Sequence, residues 1–148
     1  MSKLNNKDLV ASGVVVSPNL ANPLDYFHPH AKIVDSLIFV SGLVASRDEN
    51  GEILGTTKSE TGEIKHDVIK QFESIMDSLR VILGDSDSQL SQVMDVTVFL
   101  TNIERDFKEF NKSYGLYFSE ILPTRTTVEV SRFPSNVCIE LKVIARKN

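Results

Sequence analysis

The chain has 148 residues, 41% of them hydrophobic and 24% charged, and its 16 Lys and Arg against 20 Asp and Glu leave a formal net charge of −4. That length suits one domain, spanning 1–148, which buries about 70% of the surface its unfolded chain exposes; the acidic balance argues against nucleic acid as the main partner. A lone Cys138 excludes an internal disulfide, no stretch approaches the roughly 18 apolar residues of a membrane helix, and the N-terminal segment lacks the apolar run of a signal peptide, so a cytoplasmic location is expected.

Gly13 to Ser17 is glycine-led and β-branched and reads as a strand. Pro18 to Pro29 holds three prolines and reads as an irregular loop. His30 to Val34 and Leu37 to Ser41 follow as two strands of a hairpin turned at Asp35-Ser36 and closed by Gly42. Arg47 to Lys65 is polar and punctuated by Gly51, Gly55 and Gly62, a long surface loop with a short hairpin at Glu49-Asn50-Gly51. Asp67 to Leu83 repeats Val68, Phe72, Ile75, Met76, Leu79 and Ile82 at helical steps and stops at Gly84-Asp85. Gln92 to Thr101 alternates as a strand, with Val96, Val98 and Leu100 on one side. Arg105 to Phe118 is a second helix, with Phe107, Phe110, Tyr114, Tyr117 and Phe118 as its apolar stripe. Thr124 to Arg132 and Val137 to Arg146 are the last strands, joined at Phe133 to Asn136.

The order β-β-β-α-β-α-β-β predicts an α+β domain with two helices on one face of a mixed six-stranded sheet. Several strands carry apolar residues in both alternating sets. The uncovered face is therefore expected to be buried as well, most simply against another copy of the chain.

The chemistry-bearing residues leave alternatives open on pattern alone. Arg125 stands near a strand start among Thr124, Thr126 and Thr127. A guanidinium there suits two-point capture of a small organic acid, or an edge salt bridge. Glu140 lies in the most apolar strand; it is either an outward polar residue or a half-buried carboxylate able to deprotonate water. Alternation puts Cys138, Glu140 and Lys142 on one face. His28, His30 and His66 lack metal-ligand spacing, so no metal is expected. There is no nucleophile elbow, phosphate loop or dinucleotide fingerprint. Cys138 reads as packed rather than nucleophilic.

Taken in order, Leu37-Ile38-Phe39-Val40-Ser41-Gly42, Asp67 with Gln71, Val96-Thr97-Val98-Phe99-Leu100, Asp106-Phe107 with Phe110-Asn111, Pro123-Thr124-Arg125-Thr126-Thr127-Val128-Glu129-Val130 and Ile139-Glu140-Leu141-Lys142 resemble the RidA/YjgF family of reactive-intermediate deaminases. The match spans about His30 to Ala145. The resemblance implies a chorismate-mutase-like fold and a homotrimer with sites between subunits. It also implies cofactor-free hydrolysis of an enamine or imine carboxylic acid to a keto acid and ammonia. It places the carboxylate-binding arginine on Arg125, the water-positioning glutamate on Glu140, the site backbone on Ser41-Gly42 and a helix asparagine on Asn111.

Thr127 stands where many members carry cysteine, and His28-Pro29-His30 where many carry Gly-Pro-Tyr. Both departures, with Ser46-Arg47 and the long insertion, are similar to the 2-aminomuconate deaminase branch. A dicarboxylate substrate would use a second cation, for which His30, Lys32 and Arg47 are candidates; His30 is also a candidate proton carrier. The alternatives are a general 2-iminobutanoate/2-iminopropanoate deaminase and a binding, chaperone-like or ribonuclease member of the family.

Overall fold

The computed structural model describes residues 6–148, so the first five residues of the segment read against a signal peptide lie outside the described residues. The chain runs α1 (Asn6–Ala11), β1 (Val14–Val15), a 3-10 turn at Pro23–Tyr26, β2 (Ala31–Val34), β3 (Leu37–Leu43), β4 (Thr56–Lys58), β5 (Ile64–His66), α2 (Val68–Asp85), a 3-10 turn at Leu90–Gln92, β6 (Val93–Leu100), α3 (Ile103–Phe118), β7 (Thr124–Glu129) and β8 (Ile139–Arg146). Six strands form one mixed sheet in the order β1-β2-β3-β8-β6-β7. Only the β6–β7 pair is parallel, and α3 is its crossover. The last two strands are joined through Phe133 to Asn136, but they are not neighbours, because β6 lies between them.

Helix α2 starts where Asp67 accepts a hydrogen bond from the Lys70 backbone N–H. Its buried stripe is Phe72, Ile75, Met76, Leu79, Ile82 and Leu83. Helix α3 starts two residues earlier than its apolar stripe predicts. Asn102 caps the Arg105 N–H and the Glu129 carboxylate accepts the Ile103 N–H at 2.8 Å, so two otherwise orphaned donors are met. Phe72 meets Phe110 and Tyr117 edge-on at 5.1 and 5.5 Å, which locks the two helices together.

The helices cover the face that carries Val96, Val98 and Leu100, paired in register with Val143, Leu141 and Ile139, all fully buried. On the other face Val34, Phe39 and Val128 are 49%, 37% and 39% exposed, and Leu37, Phe99 and Ile144 are half-buried. This second face mixes these apolar residues with Lys32, Thr97, Glu140 and Lys142, and it lacks the packed layer of the first.

His30 precedes β2 and is 8% exposed, whereas Lys32 is exposed within it. One placement differs from simple alternation. Cys138 precedes β8 and turns toward α2, where its thiol donates to Gln71 Oε1 at 3.3 Å. Glu140 and Lys142 instead occupy the open face. Strand β8 begins two residues later than its apolar run suggests, and the backbone before it is free to turn the Cys138 side chain inward. The polar insertion is more ordered than a loop: Arg47 bridges Ile53 around Asp48 to Gly51, and β4 pairs with β5 in a small hairpin of its own.

Candidate active site

Strand β3 carries a bulge between Val40 and Leu43, opposite β8. The extra residue shifts Ser41 and Gly42 against Lys142 and Glu140. Lys142 Nζ donates to the Val40 carbonyl at 2.7 Å and so ties the bulge from across the sheet. Ser41 Oγ donates to the Pro29 carbonyl at 2.7 Å, which fastens the bulge to the proline-rich loop. Glycine at 42 leaves room for the carboxylate: a Cβ there would run into Glu140 Oε1 and displace it. The carboxylate of Glu140 therefore lies directly over the Ser41-Gly42 backbone.

Glu140 is half-buried and has neither a hydrogen-bond nor an ion-pair partner among the described residues. Burial raises its pKa above the usual carboxylate value. A half-buried carboxylate with a raised pKa and no partner is equipped to hold a water and take its proton.

Arg125 lies at the sheet edge on β7. Its Nη1 donates to Asn111 Oδ1 at 2.8 Å, and its guanidinium stacks 4.7 Å above the Tyr114 ring and 5.9 Å from that of Phe107. Positions 107, 111 and 114 form one stripe of α3, so a single helix face supports the whole cation. No carboxylate pairs with Arg125 among the described residues. Its remaining N–H donors face a shallow cleft of about 390 Å³ lined by Ile103, Phe107, Arg125 and Thr127. The hydroxyls of Thr127 and Tyr114 are buried beside it without partners. This is an oriented cation over an aromatic floor, with an unsatisfied hydroxyl at its rim, and it suits a carboxylate.

The sheet separates these two groups. Arg125 pairs with Val96, which puts it on the helix-covered face; Glu140 pairs with Phe99, which puts it on the open face. One chain thus brings together Arg125, Asn111 and Thr127 in one half-site, and Ser41, Gly42 and Glu140 in another.

His30 adjoins the second half-site through its backbone, whose carbonyl accepts from the Ser41 N–H at 2.9 Å, while its ring is engaged on the preceding loop. Its Nδ1 accepts from the Ser17 N–H at 2.9 Å, so its Nε2 carries the proton donated to the Ala21 carbonyl at 3.0 Å. Burial lowers its pKa. Both ring nitrogens are used in holding the loop that precedes β2. Arg47 lies in a third place, at the insertion, where it donates to the Gly51 carbonyl at 2.7 Å.

Sequence reasoning missed Gln71 as an organiser. Fully buried, it accepts from the Cys138 N–H at 2.9 Å and donates to Thr56 Oγ1 at 2.8 Å, linking α2, the β4–β5 hairpin and the start of β8. A glutamine inside the apolar stripe of α2 was the available signal. Burial pushes the Cys138 thiol up to about 12, so it is a packed group and not a nucleophile. Among the described residues no three His, Cys, Asp or Glu side chains converge as metal ligands, and no helix is long and apolar enough to cross a membrane.

Residues 20–147 match the family described as Endoribonuclease L-PSP. A RutC family protein of Pyrococcus abyssi is 33% identical over 138 residues, covering 93% of this chain and 99% of its own. The crystal structure of yeast Mmf1 superposes with a TM-score of 0.75 at 27% identity, over 90% of this chain and 97% of that one. A second yeast structure, YEO7, gives a TM-score of 0.75 at 26% identity over 91% and 98%. The bulge under Glu140, the stacked Arg125 and the six-stranded sheet thus sit in a shared fold and a shared sequence, and the chain belongs to the RidA/YjgF, or L-PSP, family.

Proposed function

We propose that this protein hydrolyses an enamine or imine carboxylic acid to the corresponding keto acid and ammonia, without a cofactor, in a cleft completed by two copies of the chain. The observation that carries this reading is the pair of Arg125, which no carboxylate neutralises, and Glu140, which has no partner among the described residues, held on opposite faces of one sheet. Each is half of a site, and a second copy seated on the open apolar face would supply the other half. Family membership supports deamination as the chemistry. A homotrimer is the arrangement the resemblance implies.

In this mechanism Arg125 clamps the substrate carboxylate through its free donors while Asn111 and the rings of α3 hold the guanidinium still. The enamine tautomerises to the imine. Glu140 of the adjoining copy holds a water against the imine carbon and takes one of its protons as the C–O bond forms, while the nitrogen gains a proton. Glu140 returns its proton to the nitrogen, the carbinolamine hydroxyl loses its own proton to solvent as the C=O forms, the C–N bond breaks and ammonia leaves. Ser41 and Gly42 supply the close backbone on which the carboxylate rests. Thr127 offers its hydroxyl to the substrate beside Arg125.

The finer proposal is a 2-aminomuconate-like dicarboxylate, supported by Thr127 at the position where many relatives carry cysteine. Ammonia release from 2-aminomuconate and 2-iminobutanoate, each generated in situ, tests both levels. Faster release from aminomuconate supports the dicarboxylate, and faster release from iminobutanoate rejects it for the general deaminase. Failure on both substrates rejects deamination and leaves a binding or RNA-directed role. Arg125→Ala is expected to lose most of kcat/KM on whichever acid is used; full retention would remove Arg125 from the mechanism.

A further inference from the structure

A second cleft is larger than the one beside Arg125. It has a volume of about 640 Å³ and lies between the β4–β5 hairpin and the segment 131–137. That volume is in the range of small-molecule sites. Its charged and titratable lining is Arg47, Lys58, His66, Arg132 and one carboxylate, Glu52. Three permanent cations and one anion are a local reversal of charge in a chain whose formal net charge is −4.

The cations are not neutralised from within. Lys58 and Arg132 have no hydrogen-bond or ion-pair partner among the described residues. Arg47 donates only to a backbone carbonyl. Three cations facing one cavity without carboxylate partners repel each other, and an anion relieves that repulsion.

The walls are also fastened. Thr56 Oγ1 donates to the Asn136 carbonyl at 2.8 Å, tying the hairpin to the opposite wall. It accepts from Gln71 Nε2 at 2.8 Å. With its own proton spent on Asn136, its contact at 3.2 Å to His66 Nδ1 requires that nitrogen to be the donor. Neutral His66 is therefore held as the Nδ1–H tautomer, and Nε2 keeps a free lone pair. A buried glutamine on α2 thus helps hold the hairpin in place, and the Asn136 carbonyl, by taking the Thr56 proton, sets the tautomer of a cleft-lining imidazole.

The charge pattern along the sheet end decides between a small anion and a long one. Between this cleft and the one at Arg125 lies a third, lined by Thr101, Asn102, Ile103, Glu104 and Glu129. It shares Thr101 with the basic cleft and Ile103 with the Arg125 cleft. Its two carboxylates interrupt the positive surface. A polyanionic strand laid along this edge would cross them, whereas a compact anion would not.

We propose that the cleft between the β4–β5 hairpin and residues 131–137 is a binding site for a small, multiply charged anion bearing carboxylate or phosphate groups. Arg132 and Lys58 supply the opposing charges, and His66 Nε2 accepts a hydrogen bond from a ligand hydroxyl or amine. The proposal concerns binding alone and does not depend on turnover, so it stands or fails separately from the deaminase reading.

Calorimetric titration of the full chain at low salt, with citrate in one arm and inorganic pyrophosphate in the other, tests it. The expected result is saturable binding of at least one probe, with one site per chain. Affinity should weaken about fivefold or more in Arg132→Ala and in Lys58→Ala, and tighten in Glu52→Gln, which removes the opposing charge. The stronger arm identifies the anion class. Because all three residues are exposed, an unchanged melting temperature in the variants excludes loss of fold. Binding of neither probe would overturn the proposal. So would binding that Arg125→Ala abolishes and that Arg132→Ala and Lys58→Ala leave intact, since the anion would then sit at Arg125.

Discussion

Glu140 combines two costs that a single substitution separates. Its carboxylate is half-buried and unpaired, so its proton is held to a higher pH in the folded chain than in the unfolded one. Between the two pKa values the native state binds more protons, and stability falls as pH rises through that window. Glu140→Gln keeps the shape and removes the charge. It is expected to be more stable than the wild type at neutral pH and equally stable at low pH, as urea midpoints at pH 4 and pH 7.5 would show. The same substitution should lower kcat about 10²- to 10⁴-fold, the usual worth of a positioned base. In the wild type the acid limb of the rate profile should lie above the ordinary glutamate pKa, because only the ionised carboxylate can take the proton of water. Gly42 separates position from charge. In Gly42→Ala the new Cβ meets the far end of a flexible side chain, not backbone, so the fold should survive while Glu140 is displaced. A drop in kcat of tenfold or more with little change in melting temperature is expected. An unchanged kcat would mean that Glu140 does not act from its place over the bulge.

Among the elements, the proline-rich loop before β2 depends on the tautomer of one histidine. His30 can accept from the Ser17 N–H only while Nδ1 is unprotonated. Its pKa is lowered by burial, so the unfolded chain takes up a proton first as pH falls below about 6.5. Stability from this contact is therefore present above the unfolded pKa and lost as pH drops through the folded one. The difference in urea midpoint between wild type and His30→Gln should be largest at pH 7.5 and narrow by pH 5. A constant difference would show that His30 contributes through packing alone. The same loop shows what could be read in advance and what could not. Helices α2 and α3 and the strands β3, β6 and β8 were legible because each buries one periodic set of apolar residues, and that burial leaves its period in the sequence. Cys138 was misplaced by alternation because it stands one residue outside its strand, where no ladder dictates direction. The facing of Arg125 and Glu140 was hidden for a related reason. Alternation assigns each residue to one of two faces of its own strand, but which faces coincide follows from the register of β6 with both β7 and β8. Phe107, Asn111 and Tyr114 were visible only as helix spacing; their service under a cation needed the parallel crossover that brings β7 beside α3.

At the scale of the whole molecule, the open face and the divided site lead to one experiment. Val34, Phe39 and Val128 are exposed on a face that also carries Leu37, Phe99 and Ile144, an apolar surface of the kind that marks an interface. If that face seats a second copy, Arg125 of one chain meets Glu140 of its neighbour. Light scattering should then show an oligomer, and Phe39→Asp should weaken both assembly and activity; a stable monomer with full activity would contradict the shared cleft. Mixing inactive chains is sharper, because it tests which chain supplies which group. Arg125→Ala chains keep Glu140, and Glu140→Gln chains keep Arg125. Unfolded together and refolded at equal amounts, they would form mixed cyclic trimers in which one cleft pairs the intact Arg125 of one chain with the intact Glu140 of the next. Random assembly makes about three trimers in four mixed, each with one intact cleft of three, so about a quarter of wild-type activity should return. If both groups acted within one chain, every cleft would carry a defect, and the mixture would stay as inactive as its parts.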